Sequence, residues 1–222
     1  MSNSPRSDAP TNGTSALQAD TESAAATPID EGDGRSLRRK RNRDAVITAL
    51  IDLIQEGDLT PTVAKIADRA EVSHRSVFRY FDDLNDLART AIETEFRKTW
   101  PLSVITNVGE GPLDERIDAL VNSAVRTFQR THMLGIVARS RAIDIEEVDR
   151  GLTRIYELRL DQVHRHFEPE LSQMDETRAE IIAVAVTATT GLDSYDVQTR
   201  MVGRTPDEIA AMWKTTIHAL LD

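Results

Sequence analysis

From Asp44 to the C-terminus, apolar residues recur every three or four positions, and no segment alternates apolar with polar residues as a half-buried strand does. That period restricts the chain to helices packed on helices. Val46, Ile47, Leu50, Leu53 and Ile54 share one face of a first helix, which Gly57 ends as the left-handed residue past the cap. Thr60-Pro61 opens a second helix, with Val63, Ile66, Ala67 and Ala70 as its buried face. After the link Glu71-Val72, Ser73 caps a third helix running through Phe81. Asp82 or Asp83 caps a fourth, striped by Leu84, Leu87, Ala88, Ala91, Ile92 and Phe96 and stopped by Pro101. Further helices are expected over about 112–130, 132–142, 145–167 and 176–199. A last one opens on Thr205-Pro206-Asp207-Glu208, a capping box with proline at the first helical position.

Charge divides the chain in three. Residues 1–34 carry one Arg and six acids, with only Leu17 and Ile29 as large apolar residues. Such a segment cannot bury enough surface to offset its ordering entropy and is expected to be disordered. Residues 35–89 are the only net positive stretch, with eleven Lys/Arg against nine acids, and six of those cations fall between Arg35 and Arg43. Residues 90–222 are acidic again, so the formal net charge of -10 hides one basic region. No cysteine is present, which excludes disulfides and thiolate chemistry and makes a reducing cytoplasm the expected compartment. No run reaches the ~20 apolar residues of a membrane span, and the N-terminus lacks the basic and apolar regions of a signal peptide.

Residues 60–81 carry the functional signal. Two short helices meet through small residues, Ala67 and Ala70, and Val72 plugs the angle between them. Ala allows close approach, and Ser73 satisfies backbone donors at the start of the second helix; that is what a helix-turn-helix requires. The continuous run Thr62-Val-Ala-Lys-Ile-Ala-Asp-Arg-Ala-Glu-Val-Ser-His-Arg-Ser-Val-Phe-Arg-Tyr-Phe81, followed by Asp82-Asp-Leu-Asn-Asp-Leu87, resembles the DNA-binding domain of TetR-family transcriptional regulators. The resemblance covers residues 44–95. Three positions depart from the family pattern: Glu71 stands at the link glycine, Phe78 at a tyrosine that reaches phosphate, and Leu84 at a lysine that does the same. Each loss weakens grip on the DNA backbone rather than base reading. The basic arm Arg38, Arg39, Lys40, Arg41 and Arg43, of a kind common in the family, is expected to restore part of it.

The resemblance implies an all-α protein with a three-helix DNA-binding domain at residues 35–89 and a larger ligand-binding and dimerisation domain at 90–222. The DNA-facing set is the arm together with Thr62, Lys65, Ser73, His74, Arg75, Ser76, Phe78, Arg79 and Tyr80. Arg75 on the first turn can pair bidentately with guanine. Thr62 either donates its hydroxyl to phosphate or supports the helix start, and Arg79 is equally suited to phosphate or to solvent. The family also implies a small-molecule pocket among helices 4 to 8, with Phe96, Trp100, Phe128, His132, Met133 and Tyr156 as lining candidates, Met174 beside them, and Arg139 or Arg141 as polar handles. Few aromatics point to an aliphatic or mixed ligand. The last two helices would pair with a second copy through Leu192, Tyr195, Trp213, Ile217 and Leu220, although an apolar stripe serves an internal core as well. His74, His132, His164, His166 and His218 show no metal-ligand spacing, and neither a nucleophile elbow nor a phosphate loop is present, so no metal, cofactor or catalytic residue is expected. The expected partners are an operator duplex, a second copy and an unknown effector, whose binding would shift helix 4 and release the DNA. The alternatives are a ligand-independent DNA-binding or architectural protein, and a helical interaction module that does not bind DNA.

Overall fold

The computed structural model describes residues 31–222, with side chains from Gly34 onward. The expected disorder of residues 1–34 lies outside the described residues except at its end, where Glu31 already begins a helix. That helix, α1 (Glu31–Gln55), is continuous, so the basic residues 35–43 form its first turns rather than an arm separate from it. Gly57 terminates it at φ 100, and the amides of Gly57 and Asp58 bond back to Ile54 and Leu53.

The second helix, α2 (Val63–Arg69), starts two residues later than Thr60-Pro61 suggested, because Thr62 caps it. It ends in the same kind of motif as α1. The Glu71 and Val72 amides donate to Asp68 and Ala67, and Glu71 takes φ 54, the left-handed region. Glycine adopts that conformation freely, whereas an L-residue is strained there by about 1–2 kcal/mol. Part of that gain is offset by the greater unfolded-state entropy of glycine. Glu71→Gly is therefore expected to raise stability by about 0.5–1 kcal/mol in urea unfolding; a decrease would show that the strain is relieved elsewhere.

Two more helices complete the head: α3 (His74–Tyr80) and α4 (Leu84–Ser103), capped by Ser73 and Asp83. Helix α4 passes through Pro101 and ends two residues on, at Ser103. Proline removes one hydrogen bond there, but only in the final turn, where Pro101 itself is exposed. The head core gathers Val46, Ile47, Leu50, Ile54, Ile66, Val77, Phe81 and Leu87.

The body consists of α5 (Leu113–Arg141), α6 (Glu146–His166), the turn α7 (Glu168–Leu171), α8 (Glu176–Thr189), α9 (Leu192–Asp196), a π-helical turn at Val197–Met201, and α10 (Pro206–Leu221). Two expectations fail here for local reasons. Helix α5 is one rod of 29 residues rather than two helices. The polar residues at the expected break bond back to its own carbonyls, with Thr131 Oγ1 donating to Thr127 O at 2.9 Å and His132 Nδ1 lying 3.1 Å from Phe128 O. The helix expected over 176–199 stops at Thr189, with Thr190 as cap and Gly191 following. Gly191 sits so close to the helix end that a Cβ there would lie 3.0 Å from the Ala188 carbonyl.

One buried polar knot ties this body together. Arg116, 4% exposed, donates to both Glu170 carboxylate oxygens, to the His166 carbonyl (2.8 Å) and to the Gly111 carbonyl (3.1 Å). His166 is fully buried; its Nε2 proton goes to the Arg116 carbonyl (2.8 Å) and its Nδ1 accepts from the Gly109 amide (3.1 Å). Burial pushes the His166 pKa down, with the Arg116 charge adding to the effect and the hydrogen bond to Arg116 and the Glu170 charge opposing it. A neutral imidazole is thus built into the fold. The unfolded chain takes up a proton more readily, so this stability is complete above pH 6.5 and lost as pH falls below it. Urea midpoints should decline from pH 7 to 5.5 in the native chain and decline less in His166→Gln; parallel declines would place the titrating group elsewhere.

No helix among the described residues is long and apolar enough to cross a membrane. The rod α5 belongs to both cores. Its Ile117, Leu120, Val121, Ala124 and Phe128 pack in the body, while Leu134 and Val137 enter the head core beside α1 and α4. Helix α4 therefore runs across the expected boundary at residue 89, and α5, which lies wholly beyond it, still packs into the head core.

Candidate nucleic-acid interface

Helix α3 is seven residues long, too short to stand alone, and is held by its buried side and its cap. Val77 and Phe81 are buried, and Val72 packs on the same core. At the front, Ser73 Oγ accepts from the Ser76 amide at 3.2 Å, and the two hydroxyls lie 2.9 Å apart. This leaves Ser73, His74, Arg75, Phe78 and Arg79 exposed on one side, with Ser76 and Tyr80 half-buried behind them. The His74 and Phe78 rings pack at 5.4 Å, and Phe78 remains 49% exposed.

Ion pairing separates the cations of the head into two groups. Lys65 is held by Asp58 at 2.6 Å, Arg69 by Glu56 at 2.7 Å, and Arg89 by Asp86 and Glu93. The hydrogen bonds from Lys65 and Arg69 lower the pKa values of Asp58 and Glu56 respectively. Arg38, Arg39, Lys40, Arg41, Arg75 and Arg79 have no carboxylate within ion-pair distance among the described residues. Arg79 instead donates to the Tyr80 hydroxyl at 2.9 Å. Burial raises the Tyr80 pKa, but hydrogen bonds with Arg79 and Asn42 and the charges of Arg79 and Arg39 outweigh it and leave the phenol below its usual value. Asn42 and Arg39 belong to α1, so the basic turns of α1 and the end of α3 share one surface. Asn42 carried no signal in the sequence beyond lying among the arginines.

Several expected site residues sit differently. The Arg43 guanidinium lies over the Phe81 ring, 4.8 Å from its centroid, and is half-buried, so it braces α1 against α3 rather than extending outward. Thr62 Oγ1 accepts from the Lys65 amide, which is the supporting role. Lys65 would have to leave Asp58 to reach a phosphate.

The expected pocket residues are spread over several places in the fold. Phe96 and Trp100 pair with each other at 5.4 Å on α4. Met133 packs on the head core, Tyr156 is exposed, and only Phe128 and His132 come together, both against Tyr195. Met174 packs on the body core. Arg139 is exposed and paired with Asp193, and Arg141 bonds Asn85. The expected dimer contacts are corrected too. Tyr195, Trp213 and Ile217 are buried within a single chain, the Trp213 indole donating to Ser194 Oγ at 2.9 Å, so they have no surface to offer a partner. Leu192 and Leu220 are half-buried against the same core. Of the histidines, His164 and His218 each face one carboxylate, Glu180 and Asp114, and no cluster of three metal-ligating side chains occurs among the described residues.

No family model and no curated protein matches the sequence. Solved structures do. A transcriptional regulator from Rhodococcus sp. Rha1 superposes with a TM-score of 0.65 at 18% identity, over 81% of this chain and 95% of that one. A TetR-like transcriptional regulator from Rhodococcus sp. RHA1 gives 0.53 at 14% identity, over 79% and 93%. The chain adopts the TetR-like fold. Within that fold α2 and α3 are the helix-turn-helix pair, and α5 to α10 form the helical body.

Proposed function

We propose that this chain is a DNA-binding transcriptional regulator that acts as a homodimer, placing α3 of each copy in successive major grooves of a palindromic operator. The observation that carries this reading is the sorting of charge on the head. Arg75 and Arg79 of α3 and Arg38, Arg39, Lys40 and Arg41 of α1 have no carboxylate within ion-pair distance among the described residues, while Lys65, Arg69 and Arg89 on the same domain are paired. A surface of unpaired cations around a capped, exposed helix start suits a phosphate-lined groove.

Dimerisation finds its support in α8. That helix is apolar on two opposite faces: Ile182, Ala183 and Val186 inward, and Ile181 (61% exposed), Val184 and Ala188 outward. A helix apolar all round belongs in an interior, and a second copy would supply the missing half. The small outward residues Ala211 and Thr215 of the neighbouring α10 extend this face. Repression is the proposed default, relieved when a small molecule bound in the body alters how the head is held.

Selection from a random duplex library at low salt tests the reading. Enriched sites should carry twofold repeats with half-site centres ~10 bp apart; no enrichment would overturn it. On the selected site, Arg75→Ala is expected to lose about 1–3 kcal/mol in fluorescence-anisotropy titrations and to change little on random DNA. Equal losses on both would make Arg75 a phosphate contact.

A further inference from the structure

We propose that the body binds a small organic carboxylate with an apolar tail at Arg159, against Phe128, His132 and Tyr195; this rests on the ligand-responsive reading above. Arg159 lies on α6 at helical spacing between Ile155 and Val163, a cation inserted in an apolar stripe. It is half-buried. Its Nη2 donates to the Thr190 carbonyl and to Thr190 Oγ1 at 3.1 Å, and its guanidinium lies over the Phe128 ring at 5.4 Å. The Nε and Nη1 donors have no partner among the described residues, and no carboxylate lies within ion-pair distance. Acids are not scarce, with 37 against 27 cations in the chain. Arg116, which is more deeply buried, has Glu170. Burial without a counter-charge pulls the Arg159 pKa down to about 10, so it still carries its charge at neutral pH.

The local structure offers only partial compensation. Thr190 is the cap of α8, and a helix C-terminus is worth roughly half a negative charge. One carboxylate would complete the neutralisation and satisfy the remaining donors, since a guanidinium fork matches carboxylate geometry. A phosphate fits less well, because a single cation with no glycine-rich nest stands here. The walls set the tail. Phe128 and His132 each pack on Tyr195, at 5.6 and 5.5 Å, and Leu192 closes over Gly135, where a Cβ would come within 2.9 Å of it. His132 bonds Phe128 O through Nδ1, which leaves its Nε2 for a ligand. Leu192 sits on the five-residue α9, a segment that can shift without unwinding a long helix.

The position suits regulation. Phe128 and His132 lie on α5 shortly before Leu134 and Val137, where that rod passes from the body core into the head core. A ligand wedged at Arg159 would therefore bear on the element that supports α1 and α4.

The test uses the full chain with benzoate, phenylacetate, hexanoate and octanoate, each beside its primary amide, in thermal melts and calorimetric titrations. At least one acid should raise Tm by ~5 °C at a hundred times its Kd, and its amide should not. Arg159→Met should weaken that acid at least ~10-fold, with Arg159→Lys in between. Without ligand, Arg159→Met should melt no lower than the native chain, because it removes an uncompensated charge. The proposal is overturned if no acid outperforms its amide, or if Arg159→Met keeps full affinity. It is equally overturned if Arg159→Met lowers Tm by several degrees and the native chain ignores the acids, the behaviour of a plain helix cap. Acid binding that leaves operator affinity unchanged would uphold the site and count against the regulatory reading instead.

Discussion

Replacing Glu170 with Ala is expected to cost about 3–5 kcal/mol of folding stability, as measured by urea unfolding. The guanidinium of Arg116 would remain in place, buried among the Gly111 and His166 carbonyls and the Phe167 ring, with its full charge and no carboxylate. Taking a charge out of water costs far more than its remaining hydrogen bonds return. The size of the loss measures the abandoned charge, not the worth of the pair. Removing both partners, in Arg116→Met with Glu170→Leu, should therefore recover most of the loss. If the single and double variants were equally unstable, the knot would contribute through the loop hydrogen bonds at Gly109 and Gly111 rather than through charge. Either way it explains how residues 104–112, with no regular structure of their own, are fixed between α4 and α5.

The paired substitution Ile181→Glu with Val184→Glu is expected to leave the chain monomeric where the proposal has it dimeric, and to lower operator affinity by ~10²–10⁴-fold, the factor that linking two half-site contacts confers. Both side chains point to solvent in a single chain, so helicity and the single-chain core should survive. Across a twofold seam the four carboxylates would face one another in an apolar setting. Light scattering would report the mass and anisotropy the affinity. A variant that stays dimeric would move the seam off α8, and a monomer that binds the operator at full strength would remove the need for two copies.

Some features of this fold were readable because they depend only on residues three to five positions apart. The Thr205–Glu208 capping box, the Ser73 and Asp83 caps and the Gly57 terminus form where their sequence signals stand. The exposure of His74 and Arg75 follows from Val77 and Phe81 claiming the inner side of α3. Pockets and partners depend on something else. Tyr195, Trp213 and Ile217 are apolar at helical spacing, which says that they are covered but not by what; the covering turned out to be the chain's own α5 and α8. Arg159 was legible as a cation among Ile155 and Val163, yet its meaning waited on the absence of a carboxylate nearby.

By itself, then, the order of residues determined helices, their caps and the exposed front of α3, since these follow from local periodicity and short-range hydrogen bonds. The tertiary arrangement alone decided that α5 serves two cores, that the outer face of α8 is left uncovered, and which cations lack partners. Those outcomes depend on distances between segments tens of residues apart, which hydrophobic spacing along a helix does not encode.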